Sequence, residues 1–143
     1  LIVMHSIQRL GKAQVIETVP ENIFDGIIDF FSQRINSLQN SGVSSERIIL
    51  DPGMGFFLGS NPETSIYVLK NIFRVKEYFK LPILVSVSRK SFLGTIVGRG
   101  VNERTPATLA AEIYISYMGV DYIRTHDVRA LSDALKVLGM LNC

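Results

Sequence analysis

Cysteine is all but missing from this 143-residue chain: the one thiol is Cys143, the last residue. A single thiol closes no intrachain disulfide, and a reducing, cytoplasmic compartment is expected. Histidine is almost as scarce, with only His5 and His126. Without a cysteine cluster beside them, a structural zinc site is not supported. No block of lysine and arginine occurs, and the formal net charge is only +2. That balance argues against nucleic acid and against an anionic membrane as partners. The longest apolar runs are strand-length, so no transmembrane segment is expected. Neither a Walker A sequence nor a G-x-G-x-x-G string is found, and no linker or low-complexity stretch interrupts the chain.

What is present is an ordinary globular composition, 47% hydrophobic and 20% charged, with one pattern repeated. Apolar runs end at polar clusters: Ile48-Ile49-Leu50 before Asp51-Pro52-Gly53-Met54-Gly55-Phe56, Ile83–Val87 before Ser88-Arg89-Lys90-Ser91-Phe92, and Tyr122-Ile123 before Arg124-Thr125-His126-Asp127. Asp51, Ser88 and Arg124 are 37 and 36 residues apart, the length of a strand, a helix and two loops. Strand tips that carry chemistry in register predict an α/β barrel with its site at one face.

Four units are readable. Strands are predicted at Leu1–His5, Ile48–Asp51, Ile83–Ser88 and Tyr122–His126, and a polar loop follows the first. Helices are predicted at about Pro20–Gln39, Pro62–Phe79, Pro106–Met118 and Ala130–Leu141. Thr18 with Glu21 and Ser60 with Glu63 match the S/T-x-x-E capping box, and Thr105 reads as a third cap. Buried stripes are expected at Ile23, Ile27, Phe31, Ile35 and Leu38, then at Ile66, Leu69, Ile72 and Phe73. Later ones are Leu109, Ile113 and Tyr117, and Leu131, Leu135 and Leu138. Gly42 and Gly119 read as helix stops. The strands are continuously apolar, as parallel strands covered by helices are.

A full barrel has eight such units and about 250 residues. An open four-stranded sheet would also leave two unpaired edges. The chain, residues 1–143, is therefore expected to be one partial domain: the second half of a TIM (β/α)8 barrel, four parallel β-α units.

Asp51, at a strand tip before a glycine-rich turn, suits a planar edge with two parallel N–H donors, such as a pterin or guanine presents. It equally suits a turn closed through its own backbone. Gly53 and Gly55 allow a flat ring close to the backbone, and Phe56 is placed to pack against it. If the third strand runs far enough, Ser88 and Lys90 point to one side and suit an anion or a carbonyl oxygen; the alternative for Lys90 is a solvated loop. Arg89 would face away, in a structural salt bridge. Arg124 and His126 repeat the two-residue spacing and match phosphate or pyrophosphate; the alternative for His126 is a packed surface histidine. Asp127 reads as a helix cap, His5 as a buried orienting residue and Met4 as pocket wall.

Together Met4-His5, Asp51–Phe56, Ser88–Ser91 and Arg124–Asp127 resemble, in order and spacing, the strand-end motifs of the dihydropteroate synthase family. The strings around Phe56–Gly59, Pro62–Ser65 and Thr108–Glu112 look most like its mobile, sulfonamide-insensitive branch. Ser86 and Leu58 depart from the family's usual Gly and Lys, at positions expected on the pocket rim. The resemblance implies a transferase of folate biosynthesis that joins 6-hydroxymethyl-7,8-dihydropterin pyrophosphate to p-aminobenzoate. It implies Asp51 on the pterin's ring N–H and amine, and Lys90 on its carbonyl side. Met4, Gly55 and Phe56 would line the pocket, Ser88 would meet the p-aminobenzoate carboxylate, and Arg124 with His126 would hold the pyrophosphate. It also implies Mg²⁺, with ligands outside this chain, and a homodimer through the last helices. The isolated piece is expected to be inactive. Competing expectations are a pterin-binding methyltetrahydrofolate methyltransferase, which has no pyrophosphate to hold, and a non-catalytic half-barrel binding module.

Overall fold

A computed structural model describes residues 1–8 and 17–141. Part of the polar loop after the first strand, and Cys143, lie outside the described residues. Four short parallel strands, β1 (Ile2–Met4), β2 (Ile49–Asp51), β3 (Leu84–Val85) and β4 (Tyr122–Ile123), lie side by side in chain order. Met4 is level with Asp51 across β1 and β2, and Val85 with Ile123 across β3 and β4. The two pairs meet at Leu50 and Ile83, where Leu50 N–H donates to Pro82 O at 2.9 Å. Parallel neighbours in chain order, joined through helices, are what β-α repetition dictates.

The strands are shorter than the apolar runs suggested. Pairing continues as single bonds past β1 and β4, from His5 N–H to Asp51 O and from Arg124 N–H to Val85 O. After Val87 the backbone instead turns sharply, with Lys90 N–H on Val87 O at 3.1 Å and Arg89 in the left-handed region at φ 58°. Strand alternation therefore does not govern Ser88 and Lys90.

Helix α1 (Pro20–Asn40) starts with proline, whose missing N–H has no partner to lose in a first turn. It buries Ile23, Phe24, Ile27, Phe31 and Ile35, with Leu38 packed alongside. Gly42, at φ 85°, closes it. The expected Thr18 box does not form. The Thr18 hydroxyl donates to Leu58 O at 2.8 Å and meets Thr64 Oγ1 at 2.9 Å, so a tertiary partner displaces the local cap.

The second helix is two: α2 (Pro62–Lys70) and α3 (Ile72–Phe79). Asn71 divides them, its Nδ2 donating to Tyr67 O four residues back, the side chain competing with the backbone ladder. The break resets the helical phase, so Val68, Leu69, Ile72 and Val75 are buried while Phe73 is 41% exposed. Asn61, not Ser60, caps α2, accepting Glu63 N–H at 2.9 Å.

Helix α4 (Ser91–Val97) lies where the sequence suggested only loop. Its seven residues are too few to show a period. Helix α5 (Thr105–Tyr117) follows, with no side-chain cap from Thr105, which is already inside the first turn. Its buried line is Thr108, Glu112 and Ile115; Leu109 and Ile113 are half-buried and Tyr117 is exposed. Two of the three inward residues are polar, so apolar periodicity marked the wrong face. Helix α6 (Val128–Leu141) is capped by Asp127, whose Oδ1 accepts Ala130 N–H at 2.9 Å, as expected. Leu131 is buried, and Leu135 and Leu138 are half-buried. Among the described residues no helix is long and apolar enough to cross a membrane. Leu58 is fully buried in the core, so it does not lie on a rim; Ser86 does line the hollow described next.

Candidate functional site

The C-terminal ends of β3 and β4 open onto a hollow of about 470 Å³ lined by Ser86, Ser88, Arg89, Lys90, Val101, Arg124, Thr125 and His126. Two clusters recognised separately in the sequence are thus one place. Ser88 Oγ joins them, accepting His126 N–H at 3.2 Å and meeting His126 Nδ1 at 2.8 Å. Arg89 lines the same hollow and makes no salt bridge among the described residues, contrary to the expected ion pair.

Asp51 stands beside this hollow at the end of β2. Its carboxylate is buried, and Oδ1 accepts Gly53 N–H at 2.9 Å. The turn-closing alternative is therefore realised for one oxygen. Oδ2 has no hydrogen-bond partner among the described residues. Burial foremost raises the Asp51 pKa, while the Gly53 N–H, Lys90 and Arg124 pull it back down. Lys90 is lowered, by burial first and by Arg124, with Asp51 opposing. The three side chains thus act on one another electrostatically, although Asp51 makes no ion pair with either cation.

The glycines explain the close approach. Gly53 sits at φ 72°, and a Cβ there would stand 2.5 Å from His5 O. Gly55, at φ 65°, lies against the Lys90 stem, and its N–H is held by buried Ser65 Oγ at 3.0 Å. His5 is buried, its Nδ1 3.2 Å from Pro52 O; burial lowers its pKa, and it props the turn. Met4, next to Asp51 in the register, is 43% exposed on that rim. Phe56 is half exposed, and the structure does not bring it to Lys90; its neighbour Phe57 is there instead, with Lys90 Nζ 4.6 Å from the ring centroid.

Phe57, Ser65, Thr108 and Glu112 entered the sequence reading only within strings that carry the family resemblance, and Thr125 only between Arg124 and His126; none was assigned a role at the site. Glu112 is almost fully buried, near Thr125 and Asp127, and its Oε1 has no hydrogen-bond partner among the described residues. Its pKa is raised, by burial first and by Asp127, against a hydrogen bond with Thr125. Among the described residues no three metal-ligating side chains gather.

Residues 1–126 match the family described as pterin binding enzyme. A dihydropteroate synthase type-3 from Escherichia coli is 58% identical over 137 residues, which is 96% of this chain and 52% of that protein. The fold is similar to a crystal structure of dihydropteroate synthase from Stenotrophomonas maltophilia with active site-bound imidazole, at TM-score 0.90 and 28% identity, over 99% of this chain and 52% of that one. It is also similar to the Anaplasma phagocytophilum dihydropteroate synthase with bound 6-hydroxymethylpterin-monophosphate, at TM-score 0.86 and 33% identity, over 98% and 54%. The chain spans about half the length of the relatives it matches.

Proposed function

Because this chain belongs to the pterin-binding enzyme family, we propose that it supplies one half of a (β/α)8 barrel working as a dihydropteroate synthase. The reaction joins 6-hydroxymethyl-7,8-dihydropterin pyrophosphate to p-aminobenzoate, giving 7,8-dihydropteroate and pyrophosphate. The observation that carries this reading is buried Asp51, whose Oδ2 has no hydrogen-bond partner among the described residues and whose carboxylate interacts electrostatically with Lys90 and Arg124. Such a carboxylate accepts a planar pair of N–H groups, while the cations flank the carbonyl and the departing anion.

In this reading Asp51 holds the pterin's ring N–H and exocyclic amine, and Lys90 its carbonyl side. Gly55 and Met4 supply wall close to the ring, and Phe56 a more distant rim. As the methylene C–O bond breaks, negative charge gathers on the pyrophosphate and positive charge spreads into the pterin. Arg124 and His126 stabilise the first and Asp51 the second. The p-aminobenzoate nitrogen then attacks the methylene carbon, and its proton leaves to solvent. The contact of His126 Nδ1 with Ser88 Oγ supports a division of labour. In the imidazolium form, Nδ1–H donates to Ser88, Nε2–H faces the phosphate oxygens, and the Ser88 hydroxyl is free for the p-aminobenzoate carboxylate. Any Mg²⁺ takes its ligands from outside these residues, and no step above runs through it. A homodimer through α5 and α6 belongs to the same proposal, supported by the exposed Val137, Met140 and Leu141.

The test is pyrophosphate release by the protein at its full natural length. Release that requires both the dihydropterin pyrophosphate and p-aminobenzoate is expected. Tight pterin binding without p-aminobenzoate-dependent release would refute the reading.

A further inference from the structure

The turn that carries Ser88 and Lys90 is strained and is held from outside. Arg89 is in the left-handed region although it is neither glycine nor a helix cap, unlike Lys80, which ends α3 in that conformation. Such backbone persists only where neighbours over-determine it. Here both ends of the residue are tied to α5 and its approach. Arg89 N–H donates to buried Thr108 Oγ1 at 3.0 Å, and Arg104 Nη1 donates to Arg89 O at 3.0 Å. Arg104 is itself fixed, its Nε donating to Arg99 O at 3.2 Å. Its guanidinium lies against Gly94 of α4, where any Cβ would overlap it.

We propose that Arg104 and Thr108, with Gly94 leaving room for the guanidinium, are positioning residues that clamp the Arg89 peptide and thereby set where Ser88 and Lys90 point. This rests on the reading of those two side chains as ligand-gripping groups. Neither clamp residue needs to touch substrate. An unclamped Arg89 peptide relaxes out of the left-handed region, and that rotation displaces the flanking side chains by the ångström or so to which an active site is sensitive.

The experiment uses paired substitutions in the protein at its full natural length. Thr108→Val keeps the side chain's shape and deletes the acceptor; Thr108→Ser deletes a methyl and keeps the acceptor. Expected is a fall in kcat/KM of at least about tenfold for Thr108→Val, with Thr108→Ser within about threefold of the parent. Amide hydrogen exchange at Arg89 should quicken by about tenfold or more in the valine variant only. A loss that comes only from weakened packing predicts the opposite order, since serine removes more apolar volume. Gly94→Ala should mimic Arg104→Ala, and the double variant should be no worse than Arg104→Ala alone, because the new methyl then meets no guanidinium. Equal activities for the serine and valine variants overturn the clamp, as does faster Arg89 exchange with unchanged kcat/KM. Asp51→Asn is run alongside: unaltered pterin affinity there sinks the functional reading, while Arg89 exchange still decides whether the clamp exists.

Discussion

Asp51→Asn is the substitution on which the geometry speaks most directly. Gly53 N–H already points at Oδ1 from 2.9 Å. In the asparagine variant that donor dictates the amide's orientation, keeping the carbonyl oxygen towards Gly53 and turning the NH₂ towards the ligand. A position that accepted an N–H now presents one. The variant loses a charge-assisted hydrogen bond of about 1.5–3 kcal/mol, and a donor faces a donor in its place. At about 1.4 kcal/mol per tenfold, pterin affinity should fall by roughly 10- to 150-fold. Calorimetry with a pterin analogue that lacks phosphates reads this without involving Arg124 and His126. The pH dependence gives a second signature. Burial foremost holds the Asp51 pKa above the ordinary aspartate value, and in the proposed function the pterin needs the ionised form. Affinity should therefore fall as pH drops through that raised value, sooner than an ordinary aspartate would allow, and the asparagine variant should be flat there. An affinity within twofold of the parent, or an unchanged pH profile, would refute the assignment.

Arg124→Ala removes a fork of donors that the proposed function puts on the leaving-group side. Steady-state kinetics should show kcat/KM reduced by about a hundredfold, while calorimetry with the phosphate-free analogue changes by only a few fold; equal losses in both would misplace Arg124. Glu112→Gln should stabilise the fold by an amount that grows with pH. The buried acid keeps its proton in the native state to higher pH than in the unfolded chain, so the parent loses stability as pH rises from the ordinary carboxylate value through the raised one. Urea unfolding at several pH values checks this, and a constant difference between variant and parent contradicts it. Gly53→Ala should cost about 1–3 kcal/mol, since a left-handed φ of 72° is combined with a Cβ against the His5 carbonyl. A shift of the urea midpoint at constant slope is the measurement, and an unshifted midpoint the contrary result.

Strand order, helix count and site membership were unequally legible in the residues. Continuous apolar runs ending at polar tips marked all four parallel strands, including the outer two, β1 and β4, whose Ile2, Met4 and Tyr122 are exposed. The stripe on α1 was equally plain, since Ile23, Ile27, Phe31 and Ile35 face one core over a long helix. Legibility failed where one side chain outweighed the pattern. Asn71 broke a helix through its own amide, Thr18 left its cap for Leu58 and Thr64, and α5 turned Thr108 and Glu112 inward. Short-range rules cannot anticipate these outcomes, because the competing partner lies 40 or more residues away, as for Thr18, or the buried face is polar.

The residues alone determined which chemistry gathers at the strand tips, since a carboxylate, an ammonium, a guanidinium and an imidazole at a repeating interval of one β-α unit must meet at one end of a parallel sheet. Only the tertiary structure decided how each of them is engaged. Gly53 takes one oxygen of Asp51 and leaves the other, Ser88 turns to His126, and α5 holds Arg89 in a conformation its own side chain disfavours. Spacing along a chain fixes which side chains become neighbours; their hydrogen-bond partners and burial are set by contacts between segments distant in sequence, and those exist only once the chain has folded.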